Sequence, residues 1–430
     1  MNHRELLRAA DPPYDARRVA ALAARPIEIG EKGWPAAAEG RAPRELAAAG
    51  LRVLDGDLPL PALVVRRTAV ERNLAVMHAY CAEAGVALAP HGKTTMAPQL
   101  FARQLDAGAW GLTAATPAHL RLYLHVGVKR VVYANELVEP GAIAWLSAAL
   151  DADERLEVLS LVDSIEGVGR LERCLARAGA RRPLRVLVEL GIAGARTGAR
   201  SVEQALAVAR AAAAAEGVVV AGVEGFEGLA PDGAAADRFL DDLAALAARV
   251  EAEGLVDPAQ GAALVTAGGS IRFDRVVARL RGRPLILRSG CYVTHDDGVY
   301  ERESPLAGPD AARQPRLVNA LELWSVVLSR PESGLVVTSM GKRDVGFDLS
   351  LPTPTLACAP GAARPRALAG RVRALSDQHA HVEIDPSDPL AVGDLVCATV
   401  SHPCTTLDRW RVIPVVDDDR VVVDGLRTFF

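Results

Sequence analysis

One lysine stands where a barrel fold would place a reactive amine. The run Val86-Ala87-Leu88-Ala89 leads into Pro90-His91-Gly92-Lys93-Thr94-Thr95-Met96, so Lys93 emerges at the carboxyl end of an early strand. α/β barrels carry their active sites at that end. An amine in a desolvated mouth sheds its proton, and the neutral form attacks an aldehyde to give an imine. By itself the segment reads equally well as a surface lysine beside a glycine turn. Further elements decide the matter. Val265-Thr266-Ala267-Gly268-Gly269-Ser270 reads as a strand, two glycines and a helix opening at Ser270, whose backbone N–H groups and hydroxyl suit a single phosphate. Arg288-Ser289-Gly290-Cys291-Tyr292 follows the last apolar run, so Tyr292 can reach the same phosphate; barrels recurrently bind phosphate after their last two strands. In Ser401-His402-Pro403-Cys404-Thr405-Thr406 an imidazole and a thiolate two residues apart offer ligands that select zinc. Two protein ligands leave coordination positions open, as a catalytic Lewis acid requires. On spacing alone, a turn with a buried cysteine and a hydrogen-bonded histidine is the commoner arrangement.

The elements around these residues point to a scaffold. Nine short apolar runs alternate with Ala/Leu-rich stretches of helical length: Ala62–Val65, Val86–Ala89, Trp110–Thr113, Arg130–Tyr133, Glu157–Val162, Arg185–Glu189, Val218–Gly225, Ala263–Ala267 and Leu285–Arg288. That pattern predicts repeated βα units and a closed (β/α)8 TIM barrel, with Ala62–Val65 assigned partly to another sheet. After Gly290, β-rich runs separated by Pro, Gly and Asp predict a mainly antiparallel β domain. The expected division is an N-terminal extension at 1–57, packing on the barrel or the β domain, a barrel at 58–288 and a β domain at 289–430.

Composition narrows the partners. The 430-residue chain has a net charge of −4 and 50% hydrophobic residues, of which few are aromatic. With no basic block, nucleic acid and anionic membrane are not expected as partners, and a small molecule is. Six cysteines without paired spacing suit reduced thiols. The N-terminus has no apolar h-region, and the most apolar window, Ala205 to Val223, reads as a helix followed by a strand. A cytoplasmic location is the expectation.

Taken in order, PHGKTTM, VLVELGIAGARTG, VTAGGS, RSGCYV and SHPCTT resemble the family of D-threonine aldolases and metal-dependent D-serine dehydratases, from about Leu58 to the C-terminus. The resemblance implies an alanine-racemase-type barrel, pyridoxal 5'-phosphate as cofactor and a homodimer. It implies that Lys93 is the imine lysine, that His91 lies beside the cofactor and that Arg196 approaches its phenolic oxygen. Gly268, Gly269, Ser270, Gly290, Cys291 and Tyr292 would surround its phosphate, and His402 and Cys404 would hold a divalent metal, zinc by ligand type. The His-x-Cys form resembles the zinc-dependent D-serine dehydratases, whereas the aldolase branch tends to carry a carboxylate in place of the cysteine. Glu227, in Gly225-Phe226-Glu227-Gly228, occupies a strand end where the family pattern leads one to look for a tyrosine or histidine. Lys342 is a rival cofactor lysine only if the barrel fails to form.

The implied reaction is β-elimination from a D-β-hydroxy amino acid, with Lys93 removing the α-proton and the metal stabilising the departing hydroxyl. Keto acid and ammonia follow. The alternative is retro-aldol cleavage to glycine and an aldehyde, with His91 as a possible base. A racemase gains nothing from a metal, and a non-catalytic cofactor carrier requires no Lewis acid. His119, His125, His379 and His381 read as ordinary surface or core residues, and His295-Asp296-Asp297 as a solvated turn.

Overall fold

The computed structural model describes residues 10–308 and 315–430. The first nine residues of the expected extension lie outside it. Two compact units are each assembled from separate stretches. One contains the described residues up to Asp15, His78–Lys93 and Gln104–Gly290; the other contains Ala16–Met77, Thr94–Arg103 and Cys291–Phe430. The two units are thus interleaved along the chain.

The first unit is built on parallel strands. Counting Ala62–Arg66 as β1, they are β2 (Ala87–Leu88), β3 (Leu112–Ala114), β4 (Arg130–Glu136), β5 (Glu157–Val162), β6 (Leu184–Leu190), β7 (Val218–Gly225), β8 (Leu264–Ala267) and β9 (Leu285–Leu287). They pair in the order β2-β9-β8-β7-β6-β5-β4-β3. Closure follows because the N–H of Trp110 donates to Leu88 O at 2.7 Å and that of Thr113 to Pro90 O at 2.8 Å. The interior is filled by Ala87, Ala89, Trp110, Val132, Leu159, Leu187 and Ile286, among others. Strands buried on both faces need apolar side chains at consecutive positions, which is why these runs were readable in the sequence. Side-chain caps begin several of the helices that follow the strands. Thr116, Ser164, Ser201 and Asp232 each accept an N–H of the first turn, satisfying amides that have no intrahelical partner. The expected barrel is present.

In the second unit, β1 joins β10 (Leu321–Glu332), β11 (Leu335–Thr338), β12 (Thr353–Cys358), β13 (Arg366–Ala367), β14 (Gly370–Leu375), β15 (Ala380–Ile384), β16 (Leu395–Thr399), β17 (Val412–Val416) and β18 (Val422–Arg427). The main path runs β13-β12-β16-β10-β1-β17-β18. Its pairs are antiparallel except β1 with β17. Strand β12 contains Pro354, which cannot donate to a ladder; the ladder slips between Pro354 and Leu356 to accommodate it. From Ala16 onward the expected extension belongs to this unit. Ile27, Trp34, Leu46 and Leu54 share a core with Trp324, Cys397 and Val412, and the Trp34 indole N–H donates to Val412 O at 3.0 Å. Glu31, almost fully buried, is paired with Arg427 at 2.8 Å. Among the described residues no helix is long and apolar enough to cross a membrane.

Candidate active site

Lys93 lies half-buried in a single turn, Gly92–Thr94, just beyond β2. His91 is fixed by its backbone, with its N–H donating to Arg288 O at 3.2 Å. Its imidazole is held well below the ordinary histidine range, chiefly by burial and then by the charges of Lys93, Arg288, Arg196 and His119. It is therefore neutral at physiological pH. Its Nδ1 is buried without a hydrogen-bond partner, an uncommon state that an incoming polar group would relieve. His119, read from sequence as ordinary, belongs to the same neighbourhood: burial and the charge of Lys93 lower its pKa, while its Nδ1 accepts the Ala115 N–H at 3.3 Å.

Arg196 stands over the Phe226 ring at 4.9 Å, a cation–π contact that orients the guanidinium. The loop bearing it is tied down on both sides. Thr197 Oγ1 donates to Glu189 at 3.0 Å and the Gly198 N–H to Asp163 at 3.1 Å. Gly198 has a φ of +99° and lies so close to Gly191 that a side chain would not fit.

Gly268 and Gly269 present adjacent amides, as anion binding requires, but a protein carboxylate occupies them. Glu227, fully buried, accepts from the Gly268 N–H at 3.0 Å and from the Gly269 N–H at 3.3 Å. The helix expected to open at Ser270 instead spans Phe273–Arg279, with Arg272 at its N-cap and a φ of 59°. The Arg272 guanidinium donates to Ala230 O at 2.8 Å, which anchors that left-handed residue and delays the helix. Ser270 therefore sits in a turn. The helix amino end thus lies at Phe273 and not at Ser270 as expected.

Sequence reading missed a row of acids at the ends of successive strands: Glu136 on β4, Asp163 just after β5, Glu189 on β6 and Glu224 on β7. Oxygens of Glu136, Asp163 and Glu189 all lie within 4.8 Å of one another. Burial pushes Glu189 up, as does its contact with Glu136, which burial raises in turn. Neither oxygen of Glu136 has a hydrogen-bond partner in the structure, nor does Glu189 Oε2. Burial likewise raises Glu224 to about 7 despite its ion pair with Arg288. Carboxyl groups held near neutrality can pass protons. The signal was available: each is an acid at or just beyond the carboxyl end of a barrel strand.

Arg288 is 3% exposed and Glu224 2%, and Arg288 also donates to Thr266 Oγ1 at 3.1 Å and Gly225 O at 3.3 Å. Arg288→Met strands a buried carboxylate, so urea denaturation should show a loss of about 3–5 kcal/mol, much of it recovered in the Arg288→Met/Glu224→Leu double variant.

Gly290 ends the barrel unit, while Cys291 and Tyr292 lie buried in a turn of the other. There Cys291 Sγ is 3.5 Å from Cys404 Sγ. Thr94, the residue after Lys93 in the chain, places its Oγ1 3.5 Å from Cys404 Sγ. Cys291, expected at a phosphate, thus accompanies the candidate metal thiol, a relation that a separation of over a hundred residues conceals. His402 precedes the short helix Pro403–Leu407, and its Nδ1 is 2.6 Å from Asp348 Oδ2. Metal-binding histidines characteristically donate their second nitrogen to a carboxylate in this way, leaving Nε2 as ligand. None of the six cysteines is in a disulfide. The expected solvated turn at His295-Asp296-Asp297 is corrected: Asp296 is fully buried, and it accepts the N–H groups of Gly298, Tyr300 and Glu301. Those three donors oppose, without cancelling, the burial that pushes its pKa up to about 7. Lys342 stands beside Phe347 in the second unit.

The resemblance read from the motifs holds. A family model described as "Putative serine dehydratase domain" matches residues 320–416. The chain is 26% identical over 371 residues to a D-threonine aldolase from an Arthrobacter species, a match covering 83% of this chain and 89% of that protein. The D-threonine aldolase of Filomicrobium marinum superposes with a TM-score of 0.73 at 24% identity, covering 88% of this chain and 97% of that one. D-threo-3-hydroxyaspartate dehydratase from Delftia sp. HT23 does so with a TM-score of 0.69 at 21% identity, covering 88% and 99%. An alanine-racemase-like protein shares the architecture, as the alanine-racemase-type expectation required.

Proposed function

We propose that the chain is a pyridoxal-phosphate-dependent lyase acting on small D-β-hydroxy amino acids. Within that class we infer a D-serine dehydratase-like elimination of water. The observation that carries the reading is the grouping of a half-buried Lys93 with a neutral His91 and the cations Arg196 and Arg288 at one barrel mouth.

The residues present fit the cofactor. Lys93 supplies an amine for its aldehyde, Arg196 a cation for its phenolic oxygen, and the orphaned Nδ1 of His91 a polar contact. The Gly268–Gly269 amides bind an anion already. When bound, pyridoxal phosphate supplies an electron sink for charge released at Cα. Lys93 Nζ is the base for the α-proton. His91, kept uncharged by burial, neither repels an incoming ammonium group nor competes with Lys93 for a proton. Several cations around a buried mouth favour an anionic cofactor and a substrate carboxylate.

His402 and Cys404 fit a catalytic cation, since Asp348 already orients the imidazole. Zinc there would stabilise a departing β-hydroxyl. Asp348→Asn should weaken zinc binding by about 10–100-fold in chelator competition. Retention of wild-type zinc affinity would mean that His402 is not a ligand. The cysteine ligand favours elimination over the aldol cleavage performed by the Arthrobacter relative.

D-Threonine separates the two readings. Elimination gives 2-oxobutyrate and ammonia; cleavage gives glycine and acetaldehyde. Keto acid as the main product supports the dehydratase reading, and glycine as the main product overturns it in favour of an aldolase. A homodimer accompanies the proposal as part of the same resemblance, and a cytoplasmic location goes with the reading of its cysteines as reduced thiols.

A further inference from the structure

We propose that Glu227 is an internal stand-in for the cofactor's phosphate, holding the Gly268–Gly269 amide pair in the cofactor-free protein and leaving it when phosphate is seated. The inference rests on the proposed cofactor and concerns this chain's own side chain.

Two neighbouring N–H groups converge on one carboxylate, at 3.0 and 3.3 Å. Gly268 makes this possible by adopting a φ of +91°, a conformation that turns successive amides toward one anion. Amides turned inward without acceptors are costly, so an acceptor is required there whether or not a phosphate is seated. Glu227 provides one at the expense of burying its own charge completely. Burial accordingly raises its pKa, opposed by the amide hydrogen bonds and by the charge of Arg288.

A phosphate on the same two donors would meet the carboxylate at contact distance. Two anions that close repel strongly in a buried setting, so occupancy is exclusive. Glu227 is free to yield because β7 ends at Gly225 and Glu227 begins a three-residue turn, Glu227–Leu229, which makes no ladder hydrogen bonds. Its neighbour Phe226 packs against Gly269, where an added Cβ would come within 2.7 Å of the ring. The same ring supports Arg196. Departure of Glu227 is thereby linked, through Phe226, to the residue expected at the phenolic oxygen. Competition of this kind keeps the cradle ordered when empty of cofactor and makes phosphate, rather than the ring alone, the trigger for exchange.

The test uses the full chain, freed of cofactor and then titrated with pyridoxal phosphate. Wild type, Glu227→Ala and Glu227→Gln are compared by cofactor Kd and by the thermal midpoint of the apo and loaded forms. Glu227→Ala should lower the apo midpoint, leave the loaded midpoint near wild type and tighten pyridoxal phosphate roughly tenfold, because two charge-assisted hydrogen bonds no longer have to be broken. Glu227→Gln, which keeps one acceptor, should fall between. Inorganic phosphate should stabilise apo Glu227→Ala more than apo wild type. Equal loss of midpoint in apo and loaded forms, with unchanged or weaker cofactor binding, would overturn the stand-in role while leaving the cofactor assignment intact. If no variant and no wild-type protein binds pyridoxal phosphate, the assignment of function fails first and this inference falls with it.

Discussion

Lys93→Ala should lose about 10⁴-fold or more in turnover of D-serine, because on the proposed function it removes the covalent anchor of the cofactor and the α-proton base in a single change. The loss should be chemical rather than structural. Lys93 is only half-buried, in a one-turn segment between β2 and the helix Pro98–Asp106. Trimming such a side chain to alanine falls among the mild substitutions for stability. The thermal midpoint of the cofactor-free protein should therefore stay close to wild type while the absorption band of bound pyridoxal phosphate disappears. Added alkylamines should restore a fraction of the activity if the amine acts as base. A variant that keeps a few per cent of wild-type turnover, or keeps the band, would remove Lys93 from the chemistry.

Removal of the cation should be the next largest effect. Stripping zinc, or combining His402→Ala with Cys404→Ala, should lower keto acid formation by roughly 10²–10³-fold, the size of several kcal/mol of charge stabilisation on the departing oxygen. Cofactor binding should survive, since His402 and Cys404 belong to the unit that does not carry Lys93. Cys404→Ala alone should lose less than the pair. Cys291 Sγ stands 3.5 Å from Cys404 Sγ and offers a replacement thiolate, so adding Cys291→Ser should complete the loss. Zinc content by elemental analysis gives the matching measurement. Full activity in protein shown to be metal-free would exclude the Lewis-acid role.

Strand positions were legible because a sheet covered on both faces demands consecutive apolar residues; all nine runs form strands, and the surplus one, Ala62–Arg66, pairs with β10 and β17. Lys93 was legible as a candidate because it is a lone lysine four residues beyond such a run. His402 and Cys404 were legible by ligand type, but their setting was not: Asp348 and Cys291 meet them across more than fifty and more than a hundred residues of chain. The row Glu136, Asp163, Glu189 and Glu224 had a visible signal, an acid at each strand end, that the apolar runs overshadowed. Glu227 looked anomalous for want of its partners, since backbone amides of Gly268 and Gly269 leave no trace in composition. The helix start slipped from Ser270 to Phe273 because Arg272 is held by a tertiary hydrogen bond, which local propensity does not encode. Tertiary contacts settled these cases.

Borohydride reduction of the protein with pyridoxal phosphate, followed by peptide mapping, tests the central claim most directly. A single pyridoxyl group on the peptide containing His91-Gly92-Lys93-Thr94, attached at Lys93, is the result the account predicts. Labelling of Lys342 or of another lysine, or no label at all, would contradict it.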